Sequence, residues 1–241
     1  MNKIAFVTAS FGGVDCIKPL PPHGGIDAIL YTDMDALVKT SKEVMRTWDR
    51  VIVNPSIGYS EEAWLRSRFF KQQINAMPDA NEYEYLAWSD ASLQFMDMGF
   101  INDDVQRLED MPENERAMFV RHPDRKTVED EFEFVVDQIA NGNEYLRTRY
   151  DCEDMEKQIH WLESSGMNCA DAQLWCAGFF ILENSPLMHK CLNNWWRQTD
   201  AFGRMDKLSL TAAFEFNGVG ITDLHKGMNI YRNEYFYWKK G

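Results

Sequence analysis

The sequence predicts an α/β fold: a single, mostly parallel central sheet flanked by helices. Three observations predict it. Short apolar runs of strand length alternate with stretches of helical period along the chain. No internal repeat, low-complexity tract or Gly-, Ser- or Pro-rich linker divides the 241 residues, so residues 1–241 read as one domain. At 45% hydrophobic and 13% aromatic, the chain has enough apolar surface to bury a large core.

The elements follow in order. Ile4 to Thr8 is apolar and runs into Ala9, Ser10, Gly12 and Gly13, the pattern of a central strand ending in a tight turn. A turn-rich patch, Pro19 to Gly25, precedes a second strand at Ile26 to Tyr31, closed by Thr32 and Asp33. Val51, Ile52 and Val53 form a third, ended by Asn54 and Pro55. Ser60 is placed to cap a helix with Glu61 and Glu62 in its first turn. That helix turns Leu65, Phe69 and Phe70 inward and leaves Arg66, Arg68 and Lys71 on or near another face. Tyr85 to Trp88 is a fourth strand, broken by Ser89 and Asp90, with extended chain resuming at Leu93, Phe95 and Met96.

Met118 to Val120 ends in Arg121, His122 and Pro123. Thr127 with Asp130 approximates a capping box, and Val128, Phe132, Val135 and Ile139 form an apolar stripe behind it. A second acidic helix spans about Asp151 to Ser165, with Met155, Ile159 and Leu162 on one side and Gly166 as its stop. Leu174 to Leu182 is a buried strand, in which Gly178 marks a bulge or a close contact. Ser185–Pro186 starts another helix, and a last one begins near Asp206, before an aromatic tail.

Charge excludes some functions. With 25 basic against 38 acidic side chains the net charge is −13, which opposes binding of a nucleic-acid backbone. No run of 18 or more apolar residues crosses a membrane, and the four-residue apolar run near the start is too short for a signal peptide. Five cysteines (Cys16, Cys152, Cys169, Cys176, Cys191), odd in number and without CxxC spacing, fit free thiols in a reducing compartment; a cytoplasmic location is expected.

Chemistry concentrates at a few places. Asp90 follows a strand, where open parallel sheets gather ligands, and with Ser92 it can hold a divalent ion that leaves positions for phosphate oxygens; an Asx turn is the plain alternative. His225 is a competent ligand for manganese-like ions, with Lys226 beside it to meet a phosphate. Arg66, Arg68 and Lys71 are a basic group able to balance a diphosphate, or simply solvated. Arg121 and His122 at a strand end are costly polar groups unless they pair or bind. Asp206 either caps its helix or stands near a sugar hydroxyl as base, with Gly178 and Glu183 from the preceding strand nearby. No Walker A loop, Rossmann fingerprint, HExxH, GxSxG or zinc-finger spacing is present.

TASFGGVD at 8–15, YTD at 31–33, RSRFFK at 66–71, YLAWSDAS at 85–92, FVRHPDRKTVEDE at 119–131 and DKLSL at 206–210 come in an order that resembles the TOD1/MUCI70 glycosyltransferase-like domain family, within the GT-A-fold nucleotide-sugar transferases. The resemblance covers most of the chain. It implies that Thr8, Ala9, Phe11, Tyr31 and Asp33 line a nucleotide, with Arg66, Lys71, Ser89 and Lys226 beside the cofactor. It implies Asp90, Ser92 and His225 as ligands of Mn2+ or Mg2+, Ser92 replacing the usual second carboxylate. It further implies that Arg121, His122, Gly178 and Glu183 bind on the acceptor side, with Asp206 and Asp90 expected as the catalytic carboxylates. Lys207 departs from the family's more usual glutamine. A UDP or GDP sugar as donor, a glycan or small-molecule acceptor and a homo-oligomer follow as expectations. The alternative is an inactive nucleotide-sugar or glycan-binding protein on the same fold.

Overall fold

The apolar run near the N-terminus builds the strand around which the sheet is ordered. A computed structural model describes residues 3–13, 15–55, 62–203, 205–224 and 228–238. In chain order its elements are β1 (Ile4–Ser10), β2 (Ile26–Thr32), α1 (Met34–Leu37), α2 (Lys42–Met45), β3 (Arg50–Val53), α3 (Ala63–Gln72), β4 (Tyr85–Ser89) and β5 (Leu93–Phe95). There follow α4 (Gly99–Glu109), β6 (Ala117–Arg121), α5 (Val128–Ala140), α6 (Glu144–Arg147), α7 (Cys152–Ser164), β7 (Trp175–Glu183), α8 (Pro186–Phe202), α9 (Asp206–Glu215), β8 (Thr222–Asp223) and β9 (Phe236–Trp238).

Among the described residues the main sheet runs β3-β2-β1-β4-β7-β6-β8, with β5 and β9 as a small antiparallel pair. β1 pairs in parallel with β2 and with β4, and β2 in parallel with β3. β7 alone is reversed within the main sheet, antiparallel to both β4 and β6. The sheet is therefore mixed and mostly parallel, as the strand–helix alternation predicts. Its residues alternate between two cores: Ala5, Val7, Leu86 and Trp88 face the side covered by α3, α8 and α9, whereas Ile4, Phe6, Tyr85 and Ala87 face the side covered by α4. The helices α5, α7 and α9 close over a third cluster centred on Val128, Met155, Leu162 and Leu208.

Several local signals act as their chemistry dictates. The Thr127 hydroxyl accepts from the Asp130 N–H while the Asp130 carboxylate accepts from the Thr127 N–H, a full capping box on α5. Asp151 caps α7, and Gly166 just past its end stands at φ +97°, a conformation side chains disfavour. Gly178 lies within a register shift of β7 against β6. Ser60 and Glu61, read as a helix start, lie outside the described residues; α3 begins at Ala63 with Glu62 as its cap. On α3, Phe70 is fully buried, but Arg68 and Lys71 are buried as well. Of the two readings the sequence left open for this basic group, plain solvation does not hold for Arg68 and Lys71, because a buried carboxylate 135 positions away meets Lys71.

Replacing Thr127 with Ala removes one half of the capping box. It is expected to cost about 1 kcal/mol in the free energy of urea unfolding, with an unchanged m-value; a loss near zero would mean that α5 is fixed by packing alone.

Candidate functional site

Where neighbouring parallel strands send their connections to opposite sides, the loops beyond their carboxyl ends part and leave a crevice. β1 continues to β2 on one side, and β4 lies on its other side. A cleft of about 490 Å³ opens there, lined by Ala9, Ser10 and Phe11 at the end of β1, Trp88, Asp90, Ala91 and Ser92 around the end of β4, and Ala63, Trp64, Ser67, Arg68 and Lys71 along α3. Tyr145, Thr148 and Arg149 overhang it, and Trp238 of β9 closes one rim. Behind the cleft the Thr8 hydroxyl donates to the Ser89 carbonyl at 2.8 Å, tying β1 to β4 where they diverge.

The centre of the site is an ammonium group between two carboxylates. Lys71 Nζ lies 3.1 Å from Asp90 Oδ1 and 2.9 Å from Asp206 Oδ2, and Arg68 Nε lies 3.6 Å from the same Asp206 oxygen. The Lys71 and Asp206 side chains are almost wholly buried, whereas Asp90 is 37% exposed. Burial alone would raise the Asp206 carboxyl, but Lys71 and Arg68 outweigh it and hold the group far below the ordinary carboxylate range. Asp206 is the first residue of α9 and makes no side-chain cap; the preceding Met205 holds the cap position. Its backbone carbonyl accepts from the Trp195 indole at 2.7 Å, fixing the start of α9. Asp90 is oriented in turn: the Trp88 indole donates to Oδ1 at 2.9 Å, and the Asp90 N–H donates to the Gly178 carbonyl at 2.8 Å. A Cβ at Gly178 would lie 3.7 Å from Asp90 Oδ2, so the bulge in β7 brings bare backbone against the carboxylate.

The residues expected from the sequence fall into three groups. Ala9, Phe11, Lys71, Asp90 and Ser92 line the cleft, with Asp206 behind Lys71 and Gly178 against Asp90. Thr8 and Ser89 are buried at its back. Arg66 stands at its edge, over the Phe11 ring at 4.5 Å and donating to the Pro55 carbonyl. A second group has its polar atoms in local structure. Asp33 caps α1 and accepts from the Gly12 N–H at 2.7 Å, which secures the positive-φ turn at Gly12 and Gly13. Tyr31 packs its ring against Phe70 at 4.7 Å. The third group is not brought to the cleft. Glu183 pairs with Arg116 at 2.5 Å and stands opposite Tyr85 at the far end of β4, about 13 Å along the strand from Ser89. Arg121 reaches Asp223 at 2.7 Å and stacks over Trp175. His225 and Lys226 lie outside the described residues.

His122 belongs to a separate buried network. Its Nδ1 accepts from the backbone N–H groups of Asp124 and Arg125. Glu131, at the base of α5, takes Lys207 Nζ at 2.5 Å on one oxygen and Arg125 on the other. Lys207 thus has a structural partner. Burial, with the Lys207 and Arg125 charges, pulls the His122 imidazole down to about 4.

Three contributors escaped the sequence reading. Asp15, raised by burial and then by the like charge of Asp90, faces the cleft from the turn after β1. Trp64, in the first turn of α3, lines the cleft with the Arg68 guanidinium 5.7 Å from its ring. Arg149 follows α6 and is held by the Tyr145 hydroxyl. Trp64 had a visible signal, being an aromatic one turn before Arg68 on the same face; Asp15 and Arg149 had none. Among the described residues no group of three or more His, Cys, Asp or Glu is placed to chelate a metal, and no helix is long and apolar enough to cross a membrane.

No family model and no curated protein matches the chain. Similar solved structures include mouse xyloside xylosyltransferase 1 in its apo form, at 10% identity and TM-score 0.46, covering 92% of this chain and 85% of that one. Another is the apo WbbM bifunctional glycosyltransferase, at 13% identity and TM-score 0.48. There the match covers 92% of this chain but 39% of the other, so the chain spans well under half of that protein.

The His122 network predicts a pH signature. A histidine held neutral contributes stability that is complete above its unfolded value near 6.5 and is lost as pH falls through the window down to about 4. Wild-type protein is expected to lose roughly 3 kcal/mol across that window through this group. His122→Gln makes the curve shallower between pH 6.5 and 5, above the range in which the paired Asp206 and Glu131 titrate, while His189, also lowered by burial, keeps part of the slope. Parallel curves for the two proteins would show that His122 is not held neutral.

Proposed function

We propose that the protein is a GT-A-like glycosyltransferase, residues 1–241 forming one transferase domain, that moves a sugar from a UDP or GDP donor to an acceptor hydroxyl. The observation that carries this reading is the buried Lys71 ammonium, placed at the floor of a cleft at the sheet's switch point and held between Asp90 and Asp206. Breaking a nucleotide–sugar bond develops negative charge on the leaving diphosphate. A fixed cation in a water-poor site stabilises that charge without reorganising at the moment of reaction. Lys71 supplies it, with Arg68 behind and Arg149 from the opposite wall. Ala9 and Phe11 flank the nucleotide, and the TOD1/MUCI70 likeness of the ordered motifs supports the same assignment.

The two carboxylates divide the work. Asp206 is enclosed and held charged by two cations, which weakens it as a base; its role is to hold Lys71 in place. Asp90 is open to the cleft and faces substrate. With Ser92 it also suits a divalent ion, because Mg2+ or Mn2+ commonly takes one or two carboxylates and completes its shell from phosphates and water. Such an ion, when bound, would add further stabilisation of the leaving diphosphate. One observation favours the alternative, a nucleotide-sugar-binding protein without turnover: Asp206, the expected base, has its carboxylate occupied. Donor hydrolysis separates the two.

Two substitutions test the proposal. Lys71→Arg keeps the buried charge pair, whereas Lys71→Met is expected to weaken UDP or GDP binding about tenfold and to slow donor turnover by about a hundredfold or more. Asp90→Asn preserves the shape beside Trp88 and is expected to lower donor hydrolysis and transfer by about a hundredfold with the thermal midpoint nearly unchanged. Unaltered nucleotide affinity in Lys71→Met, measured by calorimetry on folded protein, would refute the diphosphate assignment. Binding of nucleotide sugars by wild type with no hydrolysis or transfer across a broad donor panel would establish the non-catalytic alternative.

A further inference from the structure

A hollow of about 390 Å³ lies where α7, α8 and α9 meet, and it shares no lining residue with the cleft. Side-chain size explains it. Ala212 and Ala213, both buried near the end of α9, give it a floor of small side chains, and Ala201 on α8 leaves the space beside them open. Trp161 of α7, Phe202 at the end of α8 and Phe216 just past α9 complete the apolar lining. Phe216 is about 15 Å along the helix from Asp206, so the hollow is apart from any donor or acceptor held at Lys71.

The three rings are arranged around Trp161. Its centroid lies 6.1 Å from Phe202, tilted by 46°, and 6.4 Å from Phe216, at 62°. The cluster stays open: Trp161 is 39% exposed and Phe216 45% exposed. Tilted rings at this spacing leave faces and edges free for a further ring. A ring–ring contact is worth more than the apolar area it buries, an advantage that an acyl chain of equal area lacks.

Charge selects the other end of the ligand. Arg197 is the one charged residue in the lining, and its guanidinium makes no ion pair or hydrogen bond with any described residue. Asn194, one turn earlier on α8, has its side-chain amide equally unengaged among the described residues. In a chain of net charge −13, a lone cation beside an apolar hollow favours an anion, and a planar guanidinium grips a carboxylate through two parallel N–H groups. Apolar walls, a few polar groups at one side and a volume in this range are the usual make-up of a small-molecule site.

We propose that this hollow binds a small aromatic carboxylate, its ring seated on Ala212 and Ala213 among the three aromatic side chains and its carboxylate held by Arg197. The ligand is neither donor nor acceptor of the transferase reading, and the site is independent of that reading.

The test titrates phenylacetate, 3-phenylpropanoate, 1-naphthylacetate and indole-3-acetate into the full chain by protein-observed NMR, beside octanoate and the alcohols and amines matched to each aryl acid. At least one aryl carboxylate is expected to bind about tenfold more tightly than its alcohol and than octanoate, with no binding by its amine. Arg197→Gln should erase the preference for acid over alcohol. Ala201→Leu, which fills the hollow from an exposed helix position, should weaken acid and alcohol alike by about tenfold. Thermal midpoints near that of wild type show that both variants are folded. No binding by any aryl carboxylate, equal affinity for acid and alcohol, octanoate as tight as the best aryl acid, or binding indifferent to either variant would overturn the proposal. Displacement of the acid by UDP or GDP would do so too, by placing it in the cleft. So would self-association in sedimentation that Ala201→Leu abolishes, since a second copy would then cover the hollow.

Discussion

An ammonium group withdrawn from water and set between two carboxylates is the constraint on which the rest of this structure depends. Lys71 comes from α3, Asp90 from the end of β4 and Asp206 from the start of α9, so their meeting fixes three elements distant in sequence. Removing either member of the buried Lys71–Asp206 pair leaves an uncompensated charge, a cost of about 3–5 kcal/mol, whereas the more open Asp90 is more easily spared. Around it the fold supplies a second layer. Trp88 and the Gly178 bulge orient Asp90, Trp195 anchors the backbone of Asp206, and Arg68 shares the charge of Asp206. The arrangement is stable and also unfinished: among the three groups, Asp90 is the one left half open to a cleft.

Electrostatics divides the molecule into two polar centres. The overall charge is strongly acidic, yet the cleft gathers Arg68, Lys71 and Arg149 against Asp15, Asp90 and Asp206, a local balance that the net charge does not reveal. The second centre, His122 with Arg125, Glu131 and Lys207, ties the end of β6 to α5 and α9. Lys207 follows Asp206 directly, so one turn of α9 reaches both centres, with Glu131 as the partner of Lys207.

Much of the architecture was legible in the sequence because its signals are local. β1, β2, β4 and β7 are continuous apolar runs bounded by turn residues, and Thr127–Asp130 and Asp151 announce their helices through hydrogen bonds within a few positions. The reversal of β7 was not legible, since a fully buried strand carries no mark of direction. Nor was the pairing of β5 with β9, which depends on a contact between segments more than a hundred positions apart. α4 was missed although Ile101, Val105 and Leu108 carry a helical stripe. At the site, the sequence named Asp90, Asp206 and Lys71 separately but could not show that the lysine lies between the acids. It also grouped Glu183 with Gly178, which the fold sets apart: Glu183 occupies the opposite end of the strand from Gly178's contact with Asp90.

The central claim is spatial, and a crystal structure of the protein with UDP and with GDP tests it most directly. The account predicts diphosphate oxygens within hydrogen-bonding distance of Lys71 Nζ, on the Asp90 side of the cleft, with the nucleotide beside Ala9 and Phe11. A nucleotide seated away from the β1–β4 crevice, or a Lys71 sealed by its carboxylates while the diphosphate binds elsewhere, would contradict it.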